Sequence, residues 1–301
     1  MDTLTEEWFP TILRIERSEP VVDWQHLGST DFHHPFYDHT IESLSRKPFG
    51  RFFRITTPLS QLAGMKQRKP SGFIFHISRC GSTLVSKALN RYPECTTFSE
   101  PSIFESLISL SHSFPLSTVS DWLRDLVGVF SARNTSVVFK LNPVQSVHLE
   151  FWRKAFPDTP WVFLYREPLE VLVANLRNPG FHQTLVPGVQ DEEARLTEIL
   201  RLYLESGIRH LDQQALTLRY RELSTVTVGE VASHFGIQAG PNTGNLVEAL
   251  MGHDAKRPGI KFQNDSSQKR AEASPKARGL CERVLEPLVA QLDAVEPPGL
   301  A

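Results

Sequence analysis

Residues 73 to 85 read FIFHISRCGSTLV, an apolar run broken by Ser78, Arg79, Cys80, Gly81, Ser82 and Thr83 before apolar residues resume. FIFHI has the form of a short buried strand, and in STLVSKALNRY the residues Leu84, Ala88 and Leu89 fall at helical spacing. A strand feeding a helix through a compact turn is the repeating unit of α/β folds. The first turn of such a helix presents backbone N–H groups without partners, which attract an anion. Gly81 lets the backbone approach closely, Arg79 supplies a charged fork, and Ser82 and Thr83 supply hydroxyl donors. The segment reads as a phosphate cradle or as a plain helix start. It is not a Walker A loop, because the GxxxxGK spacing is absent and no lysine precedes the hydroxyl pair.

The chain beyond it alternates. Residues 135–141 (TSVVFKL), 160–166 (PWVFLYR) and 215–221 (ALTLRYR) have the composition of core strands. Helical patterns follow at PVQSVHLEFWRKAFPD, EPLEVLVANLR, residues 191–213 and TVGEVASHFGI, with a last apolar helix over 279–293. This alternation predicts an α/β fold: three layers, a mainly parallel sheet with helices on both faces. Residues 71–301 form that domain. Residues 1–70, rich in Phe, His and Pro, show only short helices and read as an extension packed on the core near the acceptor site. Residues 252–278 are polar and basic, either a solvated loop or a segment folded over anionic groups.

At 301 residues the chain suits one domain with embellishments. A net charge of -2, from 32 basic and 34 acidic side chains, gives no case for a nucleic-acid partner. Cys80, Cys95 and Cys281 are too few and too far apart for a disulfide framework or a zinc site, and fit a reducing compartment. The N-terminus is acidic where a signal peptide is basic, and no run reaches the roughly 20 apolar residues of a membrane helix. A cytoplasmic protein with no membrane partner is expected. His33, His34, His39 and Asp38 in FHHPFYDH match no metal motif, so no metal is expected.

HISRCGSTLVSKAL resembles the 5'-phosphosulfate-binding loop of the sulfotransferases that use 3'-phosphoadenosine 5'-phosphosulfate (PAPS). The likeness is greatest to a divergent, bacterial-type group whose loop runs Pro or Ser, Arg, any residue, Gly, two hydroxyl residues and Leu. The resemblance implies a P-loop NTPase-like fold and sulfuryl transfer from PAPS to a hydroxyl or amine of a small molecule, releasing 3'-phosphoadenosine 5'-phosphate (PAP). It assigns Arg79, Cys80, Gly81, Ser82 and Thr83 to the donor. REPLEVLVA, from Arg166 to Ala174, is similar to the family's second signature, whose arginine binds the 3'-phosphate. Arg166 holds that place, but Ala174 stands where the family has serine. Asn175 comes next, rotated by about 100° on a helix. LTLRYREL implies Tyr220 beside the adenine, and FQNDSSQK implies Lys269 and Arg270 near the 3'-phosphate. The resemblance spans roughly residues 71–285 and allows a homodimer.

Sulfuryl transfer requires a base for the acceptor, in-line alignment and stabilisation of charge on the transferred group. Lys140, in VVFKLNP, resembles a basic residue of the cytosolic sulfotransferases, where a K-T-H sequence supplies a histidine base. Here that position is Asn142, whose amide cannot accept the proton. ECTTFSEPSIFESL resembles the tyrosylprotein sulfotransferases and implies Glu100 as base, with Glu105 next and His148 and His76 behind. A carboxylate with a pKa near 4 is a weak base unless burial raises it, so this role needs a desolvating pocket. Two other readings stay open. An ATP-dependent small-molecule kinase is opposed by the missing Walker lysine. A non-catalytic nucleotide-binding protein is favoured by Ala174 and Asn142.

Overall fold

The computed structural model describes residues 7–28, 34–132, 136–178, 185–251 and 265–295. Two sheets organise the chain. The smaller is antiparallel, in the order β1 (Trp8–Glu16), β2 (Glu19–His26), β3 (Ile55–Pro58). The larger consists of β4 (Gly72–His76), β5 (Cys95–Ser99), β6 (Ser136–Lys140), β7 (Trp161–Tyr165) and β8 (Ala215–Arg219). Its strands are all parallel, in the order β5-β6-β4-β7-β8. β4 and β7 are buried along their whole length, as strands covered on both faces must be. Helices flank this sheet and give the three-layer α/β architecture expected from the alternation.

Residues 1–70 depart from the expectation of short helices alone. Among the described residues three are present, Tyr37–Ser45, Pro48–Phe52 and the 3-10 helix Leu59–Gly64, but the segment is built mainly on the antiparallel sheet. The strands are hard to read because a register shift between Pro10 and Ile12 interrupts the two-residue alternation of β1. The turn into β2 is made by Arg17 and Ser18, at φ 49° and 70°, in place of the usual Asn and Gly. Phe9 and Tyr37 of this layer pack edge-on against Phe98 and Phe130, so both sheets share one core.

Two further differences are local. The segment after β6 starts as a 3-10 turn, Pro143–His148, before the helix Leu149–Ala155. Asn142 accepts from the amide of Val144 at 3.1 Å and caps that turn. The final helix is interrupted by a π turn, Cys281–Leu285, between Pro275–Leu280 and Glu286–Asp293. Pro287 follows at once and lacks the N–H that would continue the regular ladder.

Candidate active site

The chain leaves β4 to one side for β5 and β6, then returns to the other for β7 and β8. A crevice therefore opens beyond the carboxyl end of β4, where open α/β sheets bind ligands. Every strand of the sheet delivers a candidate residue at or just past this end. Glu100 follows β5, Lys140 closes β6, His76 and the 77–81 loop follow β4, Arg166 follows β7, and Tyr220 follows β8.

The loop after β4 is strained. Ser78, Arg79 and Gly81 have φ of 74°, 51° and 85°. Positive φ at a non-glycine residue costs about 1–3 kcal/mol, so the surroundings must hold it. They do so with hydrogen bonds. Ser78 N–H donates to His76 Nδ1 at 3.1 Å, and the Cys80 thiol contacts the Leu164 carbonyl at 3.4 Å. Arg166 Nη1 donates to the Arg79 carbonyl at 3.4 Å, and Arg79 Nη2 to the Asn178 carbonyl at 2.9 Å. The Cys80 side chain is fully buried, and burial pushes its thiol up to about 11. It stays a neutral thiol, anchoring the loop through its contact with the Leu164 carbonyl. The helix Ser82–Leu89 begins without a side-chain cap; Leu84 N–H turns back to the Gly81 carbonyl at 2.9 Å, while the Thr83 amide faces whatever enters the loop. A Cβ on Gly81 would lie 2.5 Å from Leu223 Cδ1 and 2.9 Å from Tyr220 Cδ2, so the loop can sit this close to Tyr220 only with glycine there.

The second part of the site is carboxylate-rich. The β5–β6 register pairs Ser99 with Lys140, and Glu100 N–H donates to the Lys140 carbonyl at 2.7 Å. That register brings the Lys140 ammonium, 0% exposed, into an ion pair with Glu100 Oε1. The ring of Phe36 lies 5.0 Å from the same ammonium. His76 Nε2 stands 3.7 Å from Glu100 Oε1. Because His76 Nδ1 accepts from Ser78, the neutral ring carries its proton on Nε2, facing the carboxylate. Burial alone would raise the Glu100 pKa, but Lys140 and His76 outweigh it and hold the carboxyl well below its ordinary range.

Glu105 titrates in the opposite sense. Burial first, then the nearby charges of Glu100 and Asp38, push it up to about 7. Its Oε2 is buried with no hydrogen-bond partner among the described residues. Asp38 accepts from the amide of Ser102 at 3.3 Å and is raised by burial. His148 sits apart, lowered by burial and by His112.

Arg166, 5% exposed, anchors the third part. Its Nε donates to Glu170 Oε2 at 2.9 Å, its Nη2 to the same oxygen at 2.5 Å, and its guanidinium lies 4.0 Å from the Tyr220 ring. Ser266 bridges this pair: it accepts from Arg166 Nη2 at 3.1 Å and donates to Glu170 Oε2 at 2.9 Å. Arg270 Nη1 is 3.7 Å from Glu170 Oε1, and buried Lys269 pairs with Asp265 at 2.8 Å. A cavity of about 550 Å³ opens here, walled by Leu84, Leu223 and Met251 with Tyr220, Ser266 and Arg270. Asn175 stays out of the cluster, its amide donating to the Val171 carbonyl at 2.9 Å.

The structure thus gathers Arg79 to Thr83, Glu100, Lys140, Arg166, Tyr220, Lys269 and Arg270 along one edge of the sheet. Sequence reasoning missed Ser266, Glu170 and Asp38. Ser266 was within reach, since it lies in the FQNDSSQK stretch and begins the helix Ser266–Glu272. His33, Lys256, Arg257 and Lys261 lie outside the described residues. Among the described residues, no three His, Cys, Asp or Glu side chains gather as metal ligands would, and no helix is long and apolar enough to cross a membrane.

No protein-family model matches the chain, and no curated protein matches it in sequence. Solved structures do match. Sulfotransferase STF9 from Mycobacterium avium aligns with a TM-score of 0.51 at 14% identity, covering 80% of this chain and 80% of that one. A sulfotransferase from Alicyclobacillus acidocaldarius aligns at 0.47 and 16% identity, covering 75% of this chain and 95% of its own. Mouse sulfotransferase SULT7A1, complexed with PAP, aligns at 0.43 and 12% identity, over 78% and 92%. The likeness to the Mycobacterium avium structure defines a sulfotransferase-type fold for this chain.

Proposed function

We propose that the protein is a PAPS-dependent sulfotransferase acting on a hydroxyl or amine of a small molecule. The observation that carries this reading is the row of strand ends. An uncapped helix start, a buried lysine–carboxylate pair and an arginine clamp stand side by side at the carboxyl edge of one parallel sheet.

PAPS would supply a sulfuryl group already joined to a phosphate leaving group. The first-turn amides, Ser82, Thr83 and Arg79 would bind the 5' end, where a helix N-terminus favours anionic oxygens. The apolar walls Leu84, Leu223 and Met251 suit a purine base, with Tyr220 at its edge. Arg166, Ser266, Lys269 and Arg270 would hold the 3'-phosphate. Ser266 then stands in for the hydroxyl absent at Ala174, and the fit does not require Asn175.

Glu100 accepts the acceptor proton in this scheme, and Lys140 controls when. While Lys140 faces Glu100, the carboxylate is stabilised and weakly basic. Once Lys140 turns towards anionic donor oxygens, the desolvation of Glu100 is no longer offset and its basicity rises. Lys140 simultaneously stabilises charge on the leaving oxygens. Asn142, engaged as a cap, takes no part.

The direct test is transfer of labelled sulfur from PAPS to a panel of alcohols, phenols and amines. Transfer by the native chain and its loss in Arg79→Ala would support the reading. Label transfer from ATP instead would establish a kinase, and nucleotide binding with no transfer to any acceptor would establish a non-catalytic binder.

A further inference from the structure

Residues 45–54 read SRKPFGRFFR, with four basic residues, three phenylalanines and no acid, in a chain of net charge -2. The short helix Pro48–Phe52 at its centre starts with proline in its first turn. It is seated tightly on its inner side. A Cβ on Gly50 would lie 2.3 Å from Gln25 Nε2 and 2.6 Å from the Leu44 carbonyl, so only glycine lets the helix approach β2 and the end of Tyr37–Ser45 this closely.

With that face used for packing, the aromatic rings point outwards. Phe49 is 47% exposed, Phe53 57% and Phe52 78%. They are held there by a ladder of rings. Phe53 stacks on Phe49 at 4.6 Å, Phe49 leans on His26 at 4.8 Å, and His26 meets Trp8 edge-on at 5.3 Å. Arg46, Lys47 and Arg54 are exposed around them; two acids border the patch, Glu42, which pairs with Arg46, and Glu7, 2.8 Å from His26.

Contiguous exposed apolar surface of this kind marks an interaction site. Its shape and charge narrow the partner. A protruding aromatic edge fits a rigid protein only if that protein offers a matching pocket, whereas a bilayer interface deforms around it. Aromatic rings with surrounding Lys and Arg are the composition that settles at the headgroup level of anionic membranes. We infer that the Pro48–Phe52 helix is a peripheral docking site for an anionic lipid surface, with Phe52 and Phe53 entering the headgroup region and Arg46, Lys47 and Arg54 against lipid phosphates. The inference is independent of the donor chemistry.

Flotation of the full chain with phosphatidylcholine vesicles, with and without phosphatidylglycerol, tests it. The chain should float only with the anionic vesicles, and added salt should weaken the association. F52S/F53S should reduce partitioning by more than about tenfold. Each of Arg46→Gln, Lys47→Gln and Arg54→Gln should reduce it roughly fivefold. Thermal melts should show a single cooperative transition in all of these variants, with at most a small shift from the lost Phe53–Phe49 stack and Arg46–Glu42 pair. No flotation, equal flotation with both vesicle types, or full binding by F52S/F53S would overturn the inference. So would recruitment to an acidic protein through these residues without vesicle binding.

Discussion

The side of the crevice proposed for the nucleotide and the carboxylate side are held in different ways. Around Arg79, Arg166 and Ser266 most polar groups have settled partners, many of them backbone carbonyls or the single carboxylate of Glu170. That geometry is fixed by hydrogen bonds and survives modest changes in pH. Around Glu100 the arrangement is electrostatic. Three carboxyl groups, Asp38, Glu100 and Glu105, share the neighbourhood of one buried lysine, and that lysine sides with Glu100. The first side holds a shape, while the second holds a balance of charge that one moving ammonium can tip.

The comparison can be broken most forcefully at Glu100. Glu100→Gln should lower turnover by about 10²–10⁴-fold while nucleotide affinity, read by calorimetry, stays near its native value. It also strands Lys140, at a cost of about 3–5 kcal/mol in stability. The double variant Glu100→Gln with Lys140→Met should recover most of that stability in denaturant titrations without recovering activity. Recovered activity would remove both residues from the chemistry.

On the nucleotide side, Gly81→Ala forces a side chain into positive φ and into Tyr220 and Leu223. Stability should fall by about 1–3 kcal/mol. Binding of PAP should fall with it, because the loop must retreat from Tyr220. Ser266→Ala is milder: affinity for PAP should drop roughly tenfold, with affinity for AMP unchanged. Equal losses for both nucleotides would mean that Ser266 only supports the helix.

An effect spread over pH is a linkage. Glu105 has a folded pKa of about 7, above its ordinary value of 4.5, so the folded chain binds the extra proton. Its contribution to stability is complete below the unfolded value and is lost as pH rises through about 7, a loss of about 3 kcal/mol at most. Glu100 has the opposite sign: its folded value is depressed, and its contribution is present above the unfolded value and disappears in acid. Glu105→Gln should therefore flatten the stability profile between about pH 5 and 7 and leave the acid limb intact.

The sequence showed the nucleotide side more clearly than the carboxylate side, for physical reasons. Strands buried on both faces leave near-continuous apolar runs, so β4, β6 and β7 were legible, β8 showed as an alternating edge strand, and the loop chemistry follows directly from its residue types. β5 was not, because CTTFS mixes two threonines and a serine into a strand whose burial comes from its neighbours. The β1–β2 hairpin was hidden by its bulge and by Arg17 and Ser18 at the turn. The sequence pointed to Glu100 and Lys140 separately. Their pairing depends on the β5–β6 register, which joins residues 40 positions apart, and local pattern carries no trace of it. Likewise the depressed pKa of Glu100 comes from a lysine and a histidine on two other strands. Ser266 reaches Arg166 across 100 positions, a separation that leaves no local pattern.

The central claim is that this crevice is built for a bisphosphate nucleotide, and calorimetric titration of the native chain with PAP, AMP and Mg-ATP tests it most directly. PAP is expected to bind in the micromolar range, more tightly than AMP, which lacks the 3'-phosphate that the proposed site of Arg166, Ser266, Lys269 and Arg270 would hold. Tighter binding of Mg-ATP than of PAP, or heat from neither, would contradict the claim.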